Sequence, residues 1–194
     1  TWSVGLGMDY LGLIAYYLAS PLNLLSVLVP ESWLLEYFSL LVPVKLGLAG
    51  LFFAIFLNGL FGKKDLSVSV FGGFYGLCAW ALGFQWNVMW LDCIVLFPMV
   101  MLGIYKLIHE GKGWLYGCSL ALCVFTNYYI AFMICIFSCI YLLMELSCKW
   151  DADLKYIFLT GIKFAGYSLM AGGFGAVLLL PTIHALGSSA SASS

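Results

Sequence analysis

The stretch that decides the fold is residues 38–61, FSLLVPVKLGLAGLFFAIFLNGLF, closed by Gly62-Lys63-Lys64-Asp65. Its one charged residue is Lys45. A bilayer crossing takes about 20 mostly apolar residues, so this run predicts a transmembrane helix. The lysine pair that stops it predicts a cytoplasmic end. The rest of the chain is of the same kind, 64% hydrophobic and 9% charged over 194 residues. Such a composition lacks the polar surface a soluble domain needs. Net charge is −1 and no basic run exceeds Lys63-Lys64, so nucleic-acid binding is unsupported.

Working outward, residues 66–83 predict a second span with Gly72, Gly73, Gly76 and Ala79 on one face. A third covers 91–108 and ends by Lys106 and His109, before a reversal at Glu110-Gly111-Lys112-Gly113. As one helix, residues 114–147 would run about 51 Å at 1.5 Å per residue, well beyond a hydrocarbon core of roughly 30 Å. They therefore split at Thr126-Asn127-Tyr128-Tyr129 into a short helix 114–126 and a longer one 130–147. A last span, 157–180, stops at Pro181. Helix contacts are expected at Ser168, Gly172 and Ala176, and at Gly47 with Gly50, where small residues let backbones approach.

The fold class is thus all-α, a polytopic bundle of about six transmembrane helices. The eight basic residues are all lysine, and seven of them (Lys63, Lys64, Lys106, Lys112, Lys149, Lys155, Lys163) fall at or beside one set of alternate loops. Those loops, 62–65, 109–113 and 148–156, are predicted inside; 84–90, 126–129 and the tail after Pro181 are predicted outside. Thr1 opens within a loop-like stretch, and the chain reads as a segment of a longer protein. Residues 1–37 form the end of a large outer loop with interfacial helices, 38–183 the bundle and 184–194 an outer tail. Residues 10–29 are apolar enough to span, but Pro21 and Asn23 interrupt them; an interfacial helix is favoured, with a true span the alternative. The seven cysteines contain no CxxC and read as small apolar packing residues.

Four constellations bear on function. In Gln85-Trp86-Asn87-Val88-Met89-Trp90-Leu91-Asp92, Asp92 falls near a helix N-terminus, where the dipole favours a carboxylate that acts as a base or metal ligand. Trp86 and Trp90 suit either an interfacial belt or a site. Thr126-Asn127-Tyr128-Tyr129 offers hydrogen bonds and ring platforms for a sugar or phosphate, or makes a tight turn with interfacial tyrosines. Lys45 lies inside a span, where a central Lys costs about 2.5–3.5 kcal/mol. It either meets a lipid-linked phosphate, snorkels, or pairs with a carboxylate. Asp9, Glu31 and Glu36 are loop acids; a divalent cation is one use for them, solvation the plainer reading for Glu31 and Glu36. His184 reads as incidental. Walker, GxGxxG, HExxH and GxSxG motifs are absent from the sequence.

Read together, Trp2 to Gly7, Ala15-Tyr16-Tyr17-Leu18-Ala19-Ser20-Pro21-Leu22-Asn23-Leu24-Leu25, Lys45-Leu46-Gly47-Leu48-Ala49-Gly50, Trp86 to Asp92, and Asn127-Tyr128-Tyr129-Ile130 resemble the YfhO family of bacterial multipass membrane proteins. The family looks like a GT-C type of glycosyltransferase. The resemblance implies transfer of a sugar from a polyprenyl-phosphate carrier to an envelope acceptor such as teichoic acid at the extracellular face of the membrane. It implies that the acidic motif bearing the catalytic carboxylate precedes Thr1. It leaves Asp92 and Asp9 as candidate catalytic acids, and Lys45, Trp86, Asn87, Trp90, Asn127, Tyr128, Tyr129, Tyr17 and Asn23 as candidate donor contacts. A lipid-substrate transporter or flippase and a non-enzymatic assembly subunit are the competing functions.

Overall fold

A computed structural model describes residues 20–149 and 153–187, with side chains to residue 177. The candidate residues Asp9 and Tyr17 lie outside the described residues, as does the side chain of His184.

Ser20 opens the described chain as the cap of a short helix, α1 (Pro21–Leu24), its hydroxyl accepting from the Asn23 N–H at 3.3 Å. Two 3-10 turns, Leu25–Leu28 and Glu31–Trp33, lead into α2 (Leu34–Phe61). The first long helix therefore starts four residues before the expected Phe38. Gly62 ends it at φ 65°, a left-handed conformation that glycine adopts without strain. Asp65 then caps α3 (Leu66–Gly76).

The second expected span is not continuous. It breaks at Leu77-Cys78 and resumes as α4 (Ala79–Gly83). The glycines upstream of the break are committed to α2: a Cβ on Gly72 would lie 2.6 Å from the Gly50 carbonyl oxygen, and one on Gly76 2.6 Å from that of Leu46. Backbones in such contact need a residue without a side chain on at least one side. Gly47 and Gly172, expected at helix contacts, have nothing within 4 Å of a built Cβ. Gly50 works with Gly72 and Gly76 instead.

α5 (Val88–Glu110) is the central helix, and packs against α2, α6 (Trp114–Thr126) and α7 (Tyr128–Cys148). Val100, Ile104 and Leu107 of α5 share one core with Leu120 of α6, Ile134 of α7 and Phe164 of α8 (Leu154–Gly187). The α5–α6 crossing is close because Gly103 has no side chain; a Cβ there would sit 2.3 Å from the Tyr116 backbone nitrogen. Tyr116 stacks on Phe164 (4.9 Å) and bonds Ser168 through its hydroxyl (2.8 Å), which ties α6 to α8.

The split within 114–147 falls where the sequence places it. Asn127 ends α6 and caps α7, its side-chain oxygen accepting from the Ile130 N–H at 3.0 Å. At 13 residues, α6 spans about 20 Å, short of a full crossing. The last helix departs from expectation in the other direction: α8 begins at Leu154 and continues through Pro181 to Gly187. Pro43 and Pro98 likewise lie inside α2 and α5, positions membrane helices tolerate when neighbours satisfy the freed carbonyl.

Among the described residues, five helical segments are long and apolar enough to cross a membrane: Glu31–Phe61, Leu66–Gly83, Val88–Glu110, Tyr128–Cys148 and Leu154–Val177. With the shorter α6, they account for the six expected. At the lysine-rich end, Lys149 donates to the Ile108 carbonyl (3.1 Å) and the Tyr156 hydroxyl (2.9 Å), fastening the ends of α5, α7 and α8 together.

Candidate functional site

The lysine-poor end of the bundle is organised around one ammonium group. Lys45 is fully enclosed, 0% exposed, on the face of α2 that meets α5. An ammonium has three protons, and three acceptors surround this one: Asn23 Oδ1 at 3.0 Å, the Val88 carbonyl at 2.9 Å and Asp92 Oδ2 at 2.7 Å. The three acceptors come from two helices, one from α1 and two from the start of α5. Asn23 is delivered by α1, whose backbone is fixed by the Ser20 cap and by the Tyr37 hydroxyl donating to the Leu22 carbonyl at 2.6 Å. Val88 opens α5, and Asp92 lies one turn further on.

This geometry gives Asp92 a different setting from the one its sequence position suggests. Because α5 starts at Val88 rather than residue 91, Asp92 sits in the second turn, beyond the first-turn carboxylate position. Its charge is met by Lys45 within a buried contact, the two side chains being 0% and 7% exposed. Removing either partner from such a pair leaves an uncompensated buried charge. In this conformation all three protons of Lys45 are engaged, so its contact with a phosphate requires the pair to open.

Around this node the start of α5 meets the α6–α7 junction. Cys93 Sγ lies 3.6 Å from the Cys123 carbonyl, 3.7 Å from Thr126 Oγ1 and 3.7 Å from the Asn127 carbonyl. Asn127 is wholly buried, and because its oxygen caps Ile130 the amide orientation is fixed. That leaves Nδ2 as a buried donor without a hydrogen-bond partner among the described residues; Asn87 Nδ2 is another.

The aromatic residues form a cluster that the sequence only half disclosed. Trp90 stands 6.3 Å from Tyr129, 5.9 Å from Phe84 and 6.5 Å from Trp80, ring centre to ring centre. Trp80 and Phe84 were not anticipated. The signal for them was faint, two rings at the end of an apolar run. Only the break at Leu77-Cys78 brings α4 into place. Trp86 stays apart, 73% exposed in the turn before α5. Tyr128 is half-buried and Tyr129 exposed. Glu31 and Glu36 are both exposed, and among the described residues no three His, Cys, Asp or Glu side chains converge as a metal site.

An all-α bundle with five helices of crossing length defines a multipass membrane protein. A family model described as bacterial membrane protein YfhO matches residues 1–194, and the chain belongs to that family. No curated protein and no solved structure matches the chain.

Proposed function

We propose that the protein is a membrane glycosyltransferase of the GT-C type, moving a sugar from a polyprenyl-phosphate donor to a cell-envelope acceptor such as teichoic acid. The observation that carries this reading is the meeting of Asn23, Lys45, Val88 and Asp92. It draws three of the strings that resemble the YfhO family to one end of the bundle. That end is poor in lysine, which by the positive-inside rule faces the exterior.

In this reading a carboxylate of the outer loop, the loop to which Asp9 belongs, takes the proton of the acceptor hydroxyl. Lys45 and Asp92 neutralise each other and act as positioning residues that hold α1 and α5 in register. The buried amide donors of Asn87 and Asn127 serve sugar hydroxyls or phosphate oxygens. Trp90 and Tyr129, extended by Trp80 and Phe84, offer ring faces to the sugar. Charge developing on the phosphate leaving group calls for a counter-charge, which Lys45 supplies only on leaving Asp92.

The test is the full-length protein in proteoliposomes with labelled polyprenyl-phosphate sugars. Transfer of label to acceptor is expected. A transporter reading has one observation in its favour, the broken helix at Leu77-Cys78, since carriers use such breaks. Movement of the carrier across the bilayer with no glycosyl transfer would decide for it.

A further inference from the structure

The hairpin of α2 and α3 carries a feature that the site at the other end does not use. Two grooves flank it at the lysine-rich end. One, of about 390 Å³, is walled by Phe53, Leu57, Phe61, Val68 and Phe71; the other, of about 290 Å³, by Ala54, Ile55, Asn58 and Ser69. Lys63 lines both, and Lys64 the second. Among the described residues neither lysine forms an ion pair, whereas Lys112 pairs with Glu110 at 3.2 Å and Lys45 with Asp92.

Asp65 also lines the second groove and feels the Lys63 charge, but its carboxylate is engaged in capping α3. It accepts from the Ser67 hydroxyl at 2.5 Å and the Val68 N–H at 3.4 Å as the cap of α3. Chiefly through that hydroxyl, its carboxyl is held below the ordinary carboxylate range.

We propose that this hairpin binds an anionic phospholipid, its headgroup phosphate at Lys63 and Lys64 and one acyl chain along the groove of Phe53, Leu57 and Phe71. An apolar trough between two membrane helices faces lipid chains. Unpaired lysines at its interfacial end select negative headgroups, as basic pockets between membrane helices do. Inorganic phosphate shares the headgroup chemistry but has nothing to place against the phenylalanines.

Native mass spectrometry of the protein taken from mixed phosphatidylglycerol and phosphatidylcholine bilayers tests this. Wild type should retain phosphatidylglycerol in preference. The double substitution Lys63→Gln/Lys64→Gln should lower that retention about tenfold. Leu57→Trp, which fills the trough and keeps both lysines, should lower it as well. Inorganic phosphate should not compete at millimolar concentration. Equal retention of the two lipids, an unaffected lysine double variant, or an equal loss in the control Lys112→Gln would each overturn the proposal. So would full retention by Leu57→Trp or displacement by phosphate.

Discussion

Lys45 Nζ and Asp92 Oδ2 lie 2.7 Å apart in the interior of the bundle, joining residues 47 positions apart in the chain. Deleting one member of a buried pair costs about 3–5 kcal/mol, while replacing both with apolar residues is often neutral or better. Lys45→Met and Asp92→Leu should each lower the thermal midpoint sharply in detergent, and the double variant should recover most of the loss. If the two effects simply add, the pair is not the unit described.

Asn127 supports two roles that can be separated. Its oxygen caps α7, and Asn→Ala at a cap costs about 1 kcal/mol. Serine retains capping and removes the unpaired amide donor. Asn127→Ser should therefore keep the midpoint near wild type while lowering glycosyl transfer at least about tenfold, the cost of one lost hydrogen bond to a substrate. Equal transfer by Asn127→Ser and wild type would remove the amide from the site.

The glycine contacts predict substitutions of opposite sign. Gly72→Ala forces a methyl to within 2.6 Å of the Gly50 carbonyl oxygen and should cost about 1–3 kcal/mol, as overpacking does. Gly103→Ala, against the Tyr116 backbone, should be at least as costly. Gly47→Ala meets nothing within 4 Å and should be neutral or stabilising by up to about 1 kcal/mol through helix propensity. Thermal unfolding of the three variants in one detergent checks the order.

Orientation is open to a direct chemical test. Cys148 is exposed at the end of α7, beside Lys149 at the lysine-rich end. A membrane-impermeant maleimide should label it in permeabilised cells and not in intact ones, with Cys148→Ser as the control. Labelling in intact cells would invert the topology and move the proposed site to the cytoplasm.

Much of the fold was legible because a bilayer imposes a one-dimensional rule: a backbone in hydrocarbon must satisfy its own hydrogen bonds, and length follows from thickness. The run at 38–61 and the split at Asn127 follow from it. Helix ends were less legible. Pro181 does not stop α8, and the second span breaks at Leu77-Cys78, because what a proline or glycine does inside a membrane helix depends on its neighbours.

For the site, the sequence singled out Lys45, Asn87, Asp92 and Asn127 by type, as polar or charged groups in or beside apolar runs, and Asn23 through the family resemblance. It left open whether Lys45 faced lipid headgroup, ligand or carboxylate. Tertiary structure settled its contacts in this conformation, since α1 and α5 bring three acceptors to three protons. Trp80 and Phe84 joined Trp90 and Tyr129 for the same reason, as the bend in the second span aims α4 at the start of α5. Hydropathy and charge fixed what lies in the membrane and which end is basic. The partner each buried polar group takes depends on helix rotation and crossing, which glycines such as Gly50, Gly72 and Gly103 set through contacts remote in sequence.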